Sequence, residues 1–190
     1  MFIRDWKKEI KTIPNLLSLL RLILIPVYMS IYLNAANPVQ HFYAGAILAA
    51  SCLTDALDGW IARRFHMITN LGKVLDPVAD KITQLSLILC LSLKFPALIP
   101  VLVLFLVKEL FQICAAVYHL NQGQILPNAL LAGKLCTTVL FITLILLVLF
   151  PAVSTRIVTW IAGLDCLFLL ISFGSYLFTY LSKPDGLHRL

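Results

Sequence analysis

Asp55-Ala-Leu-Asp58-Gly59-Trp-Ile-Ala62-Arg63, then a connection of eight residues, then Gly72-Lys-Val-Leu-Asp76-Pro-Val-Ala-Asp80: this stretch decides how the chain must fold. On both sides of it the sequence is almost continuously apolar. An ionised carboxylate in hydrocarbon is costly unless it is paired, solvated or bound to a metal. Several carboxylates close together also repel one another. The arrangement therefore requires cations.

On helices, Asp55 and Asp58 (i, i+3) share one face, and Asp76 and Asp80 (i, i+4) share another. So short a connection makes a tight antiparallel hairpin, which lets the two pairs face each other. Gly59 and Ala62 near that face are small enough for a backbone or a ligand to approach closely. Pro77 falls early in its helix, where a missing N–H is best tolerated. Carboxylates converging from two helices supply only oxygen ligands, which suit hard divalent ions, Mg²⁺ or Mn²⁺. Two such ions would balance Asp55, Asp58, Asp76 and Asp80, and a metal pair is also what phosphoryl-type transfer uses. Arg63 adds a further positive charge for a phosphate. Two other readings compete. The acids could be helix-end carboxylates satisfied by Arg63, Arg64, Lys73 and Lys81, or the cation pathway of a coupled transporter. Against the transporter, the two halves of the chain share no repeated motif and the cluster is confined to one hairpin.

Of the 190 residues, 61% are hydrophobic and 13% charged, about half the charged share of a soluble domain. Apolar runs of membrane-spanning length cover roughly residues 15–34, 42–62, 73–94, 97–119, 128–150 and 156–181. Polar or proline-containing turns such as Asn34-Ala-Ala-Asn37-Pro38 and Lys94-Phe-Pro96 separate them. The expected fold is all-α: an integral membrane bundle of six transmembrane helices forming a single domain over residues 1–190. Before the first span, residues 1–13 place Phe2, Ile3, Trp6, Ile10 and Ile13 opposite Lys7, Lys8 and Lys11. That pattern predicts a short amphipathic helix in the membrane interface. The first span is too long for a signal-peptide core, contains Arg21 and lacks a small-residue cleavage site, so it reads as a retained helix.

Basic residues cluster before the first span (Arg4, Lys7, Lys8, Lys11), around the second connection (Arg63, Arg64, Lys73) and after the last span (Lys183, Arg189). This bias predicts that both termini and the acidic cluster are cytoplasmic. The net charge of +6 is then explained by topology and anionic lipid, with no basic and aromatic array that would suit nucleic acid. The cysteines, Cys52, Cys90, Cys114, Cys136 and Cys166, are scattered singly and read as small packing residues.

The acidic stretch resembles the signature of the CDP-alcohol phosphatidyltransferases, with Asp55, Asp58, Gly59, Ala62, Arg63, Gly72, Asp76 and Asp80 all at the family spacing. Pro14-Asn15-Leu-Leu-Ser-Leu-Leu-Arg21 is similar to the start of the first helix in the phosphatidylglycerophosphate synthase and cardiolipin synthase branches of that family. The resemblance implies six membrane helices, a homodimer in the bacterial cytoplasmic membrane, and transfer of a phosphatidyl group from CDP-diacylglycerol to an acceptor hydroxyl with release of CMP. It further implies that Asp55, Asp58 and Asp76 ligate two divalent cations, Mg²⁺ or Mn²⁺. Asp80 would be the general base, also touching a metal. Asn15, Gly59, Ala62, Arg63 and Gly72 would line the CDP site.

The acceptor is read from basic residues inside the spans. Lys108, Lys134 and Arg21 are the candidates to bind an acceptor phosphate, which favours glycerol-3-phosphate and hence phosphatidylglycerophosphate as product. Val107-Lys108-Glu109 stands where the family's phosphatidylglycerophosphate synthases carry Arg-Glu, and Cys136 replaces a second lysine. These departures leave room for phosphatidylglycerol as acceptor, giving cardiolipin. Lys108 has Glu109 as its immediate neighbour, and Asp165 is an isolated acid in the sixth span whose partner the sequence leaves open.

Overall fold

A computed structural model describes residues 12–64, 69, 72–121 and 131–181, without the side chains of residues 13, 14, 38, 52, 53, 55–63, 73, 74, 120, 121 and 181. The expected amphipathic helix at 1–13 lies outside the described residues, apart from the start of the first membrane helix. In chain order the helices are α1 (Ile13–Leu33), α2 (Pro38–Arg64), α3 (Gly72–Lys94), a short 3-10 turn (Pro96–Leu98), α4 (Ile99–Asn121), α5 (Leu131–Leu149) and α6 (Thr155–Leu181). No strand occurs among the described residues.

These bounds follow the apolar runs closely, and the differences have local causes. α2 begins at Pro38, ahead of the first apolar residues. Proline suits the first position of a helix, and the Gln40 side chain folds back to accept from the Ala36 N–H at 2.6 Å and the Asn37 N–H at 3.3 Å. Polar Gln40 and His41 thereby become helix rather than turn. α1 closes through Asn34, whose side chain donates to the Ser30 carbonyl at 2.8 Å. Pro77 sits in the second turn of α3 rather than the first, so its missing N–H removes one bond of the helical ladder beside the acidic pair.

The chain divides into two compact units, residues 1–90 with 148–151 and residues 91–147 with 152–190. In the first unit α1 packs against α2, around Ile25, Tyr28, Leu48, Ala79, Leu87 and Ile88, all buried. Tyr28 stacks on Tyr32 with ring centroids 5.7 Å apart. In the second unit α4 packs against α6, and the 3-10 turn touches both. Its core includes Leu98, Val101, Phe105, Leu140, Leu144 and Leu169. Gly133 of α5 marks a close approach there: a Cβ at this position would lie 2.6 Å from the Tyr176 hydroxyl.

Polarity is inverted relative to a water-soluble bundle. Phe42, Trp160 and Phe178 are 70%, 75% and 74% exposed, whereas Asn15, Arg21 and Asp165 are 1%, 2% and 1% exposed. Such a surface is unfavourable in water and favourable in lipid. Among the described residues four helical stretches are long and apolar enough to cross a membrane, Asn15–Leu33, Pro96–His119, Leu131–Leu149 and Thr155–Tyr180. α3, of comparable length, carries Asp76, Asp80 and Lys81 close together in its N-terminal part, which dilutes its apolar character where the polar chemistry is concentrated.

Candidate active site

The site begins on α1. Asn15, Ser18 and Arg21 recur every three residues, so they line one face of an otherwise apolar helix, and all three are buried. Each reaches a different point on α3 or just ahead of it. Asn15 Nδ2 donates to Thr69 Oγ1 at 3.0 Å, Ser18 Oγ donates to Asp76 Oδ1 at 2.6 Å, and Arg21 Nη1 donates to Asp80 Oδ1 at 2.5 Å. Partners that advance together along both helices mean that α1 and α3 run in the same direction, three rungs of a ladder laid across the first unit.

The lowest rung fixes the start of α3. Thr69 Oγ1 accepts from the Gly72 N–H at 2.9 Å, capping one of the donors left over at a helix N-terminus. The Asn15 side chain lies on the same spot. A Cβ on Gly72 would sit 2.7 Å from Asn15 Oδ1 and 3.0 Å from Thr69 Oγ1, and both atoms are held by hydrogen bonds to each other. Gly72→Ala is therefore expected to destabilise the protein by about 1–3 kcal/mol through overpacking, read as a lower Tm in detergent. Shortening the nearer obstacle, Asn15→Ala, in the same chain should recover part of the loss.

The upper rungs hold two acids differently. Asp80 is ion-paired with Arg21; the arginine side chain is 2% exposed and the aspartate 50%. Arg21 thus anchors from the protein side while Asp80 keeps an open flank. Asp76 is held by a neutral hydroxyl. Asp55, Asp58, Gly59, Ala62 and Arg63 belong to α2, which is continuous from Pro38 to Arg64. The helix places Asp55, Asp58 and Ala62 on one face by spacing. Their side chains, and with them their expected meeting with Asp76 and Asp80, lie outside the described residues. Among the described residues no three acidic, histidine or cysteine side chains converge on a metal position. The donor set still fits a hard divalent ion: Asp76 and Asp80 are carboxylates one turn apart, each with one oxygen tethered from α1, and Asp80 is accessible.

Two residues of this site escape a motif reading, Ser18 and Thr69. For Ser18 a signal was present, since Asn15, Ser18 and Arg21 form a polar stripe on an apolar helix. For Thr69 the signal is a hydroxyl three residues ahead of a helix-opening glycine.

The candidates for the acceptor phosphate fall in different places. Arg21 sits on Asp80. In the second unit Lys108 is buried and donates to Glu109 Oε1 at 2.7 Å, so its charge is matched by its own neighbour. Lys134 is exposed on α5. Asp165 accepts from the Thr143 hydroxyl at 2.9 Å on each carboxylate oxygen, which settles its partner as a hydroxyl rather than Lys134.

The sequence model of the CDP-alcohol phosphatidyltransferases matches residues 11–171, spanning both units. A probable phosphatidylglycerophosphate synthase of Mycobacterium tuberculosis is 34% identical over 145 residues, 75% of this chain and 68% of that protein. A cardiolipin synthase (CMP-forming) of Streptomyces coelicolor is 30% identical over 162 residues, 84% of this chain and 73% of that protein. A CDP-diacylglycerol--glycerol-3-phosphate 3-phosphatidyltransferase of Bacillus subtilis is 36% identical over 81 residues, 37% of this chain and 42% of that protein. The match extends from α1, with its Asn15, Ser18 and Arg21, through the acidic helices and into α6, and by it this chain belongs to the CDP-alcohol phosphatidyltransferase family.

Proposed function

We propose that this chain transfers a phosphatidyl group from CDP-diacylglycerol to the hydroxyl of glycerol-3-phosphate, giving phosphatidylglycerophosphate and CMP. The observation that carries the reading is the Arg21–Asp80 pair, a half-exposed carboxylate locked onto a buried guanidinium beside a second carboxylate, Asp76. A carboxylate fixed in this way can accept a proton from an acceptor hydroxyl brought within hydrogen-bond reach. Asp55, Asp58 and Asp76, with Asp80 at the edge, are the residues to hold two divalent cations, Mg²⁺ or Mn²⁺. When bound, these ions supply electrostatic stabilisation of the phosphate oxygens and of the leaving CMP.

Asn15, Gly59, Ala62, Arg63 and Gly72 form the CDP site in this reading. The close packing of Asn15 on Gly72 supports the two residues belonging to one site. For the acceptor, the names of the Mycobacterium and Bacillus relatives favour glycerol-3-phosphate. That of the Streptomyces relative keeps phosphatidylglycerol, and hence cardiolipin, as the second reading. Lys108 and Lys134 remain the acceptor-phosphate candidates of the second unit. Lys108 would have to bind an anion alongside Glu109.

The family match across residues 11–171 supports one catalytic domain rather than two, and a transferase rather than a cation-coupled transporter. With α2 and α3 crossing the membrane in addition to the four apolar helices, both termini and the site face the cytoplasm of a bacterial cell, and the enzyme works as a homodimer among membrane lipids. The test is CMP release by the purified chain from CDP-diacylglycerol. Release is expected with glycerol-3-phosphate and only with Mg²⁺ or Mn²⁺. Release with phosphatidylglycerol alone would replace the first reading by the second, and no release with either acceptor would sink both.

A further inference from the structure

We infer that Ser18 is a positioning residue of the acidic site: its hydroxyl fixes the orientation of the Asp76 carboxylate without neutralising it, so that the carboxylate is presented to a divalent cation in one direction. This rests on the phosphatidyltransferase reading and names a residue outside the family's acidic signature.

The hydroxyls on the helices of this protein mostly turn inward on their own backbone. Thr83 donates to the Ala79 carbonyl at 2.8 Å, Ser86 to Ile82 at 2.7 Å, Ser175 to Ile171 at 2.8 Å and Thr179 to Ser175 at 2.8 Å. That is the usual use of a helical hydroxyl in an apolar environment. Ser18, 0% exposed, reaches another helix, donating at 2.6 Å to an oxygen of Asp76. The separation is that of a charge-assisted O–H···O⁻ bond. The terminal torsion of an aspartate is soft, so one such bond decides where the second oxygen points.

The chemistry of the donor matters as much as its position. On Asp80 the anchor is Arg21, whose positive charge offsets the carboxylate. On Asp76 the anchor from α1 is neutral, so it leaves the carboxylate's negative charge for a cation. A lysine or arginine at residue 18 would compete with a metal; a serine orients the ligand and leaves its charge intact. Groups that orient a metal ligand in this way typically change metal affinity by about 10–100-fold when removed.

The test measures Mn²⁺ binding by electron paramagnetic resonance on the full chain in detergent without substrate, together with the Mn²⁺ dependence of CMP release. Ser18→Ala is expected to raise the Mn²⁺ Kd by about 10–100-fold, with turnover recovering at high Mn²⁺. Ser86→Ala, which removes another buried hydroxyl bonded to its own helix, should keep the wild-type Kd. Ser18→Thr retains the hydroxyl but adds a methyl at a fully buried position; it should keep the Kd and melt earlier. Three results would overturn the inference: an unchanged Kd in Ser18→Ala, equal weakening in Ser86→Ala, or equal weakening in Ser18→Thr. Wild-type protein that binds no Mn²⁺ would remove the metal reading and this inference together, whereas wild-type binding with an unaffected Ser18→Ala removes this inference alone.

Discussion

Replacing Asp80 by Asn is expected to lower CMP release by about 10²–10⁴-fold, the range of a positioned general base, while the protein still folds. The amide has nearly the volume of the carboxylate and keeps an oxygen that can accept from Arg21 Nη1, so the 2.5 Å rung between α1 and α3 survives in weaker form. What disappears is the capacity to take a proton and the negative charge. The loss of a charge-assisted bond should lower stability by an amount on the order of 1–3 kcal/mol. It should fall towards the lower end, because the Asp80 side chain is 50% exposed and water screens it. Turnover and thermal unfolding measured on one preparation separate the two effects. Turnover within tenfold of wild type in a folded Asp80→Asn protein would remove Asp80 as the base.

The second large effect belongs to Arg21. Arg21→Met keeps most of the side-chain volume in a site that is 2% exposed but removes both the charge and the planar donor fork. Asp80 then loses this ion pair and can shift on its open flank. Misplacing a reacting group by about an ångström can cost on the order of 10²-fold in rate, and that is the expected fall in kcat/KM. Arg21→Lys should lie between, because an ammonium keeps the charge but not the fork geometry. The split between kinetic constants distinguishes two roles for this residue. If Arg21 positions Asp80, kcat falls and the KM for glycerol-3-phosphate changes little. If Arg21 binds the acceptor phosphate, that KM rises while kcat holds. The ion pair in the structure favours the first outcome, and wild-type kinetics in Arg21→Met would exclude both.

Helices were legible in the sequence because apolar runs of membrane length have little else to become. The polar turns that end them, Asn34 and Lys94-Phe95-Pro96 among them, behaved as their residues dictate. Asp76 and Asp80 were legible as neighbours because helical periodicity is a local property. Their anchors were not. Whether an α1 hydroxyl meets Asp76 or its own backbone depends on the register between helices 58 residues apart in sequence, and no local pattern encodes that register. The same limit applied in the second unit. Asp165 found Thr143, 22 residues away, and Lys108 turned to the adjacent Glu109, although a lysine in an apolar span reads equally well as a ligand-binding residue. Asp55 and Asp58 remain where spacing alone put them, on one face of α2.

The Arg21–Asp80 pair has a consequence for how the protein is made. Arg21 emerges in the first hydrophobic helix, and Asp80 follows 59 residues later. At about 5–20 residues per second, synthesis takes about 3–12 s to supply that counter-charge. Throughout this interval α1 carries, without Asp80, an arginine that disfavours membrane entry by about 2.5–3.5 kcal/mol on insertion scales, where each leucine or isoleucine returns only about 0.3–0.6 kcal/mol. The density of Leu16, Leu17, Leu19, Leu20, Leu22, Ile23, Leu24 and Ile25 around Arg21 is therefore a requirement of biogenesis as well as of lipid contact. Lipid-facing leucines whose loss the finished protein would tolerate are needed while the helix waits for its partner.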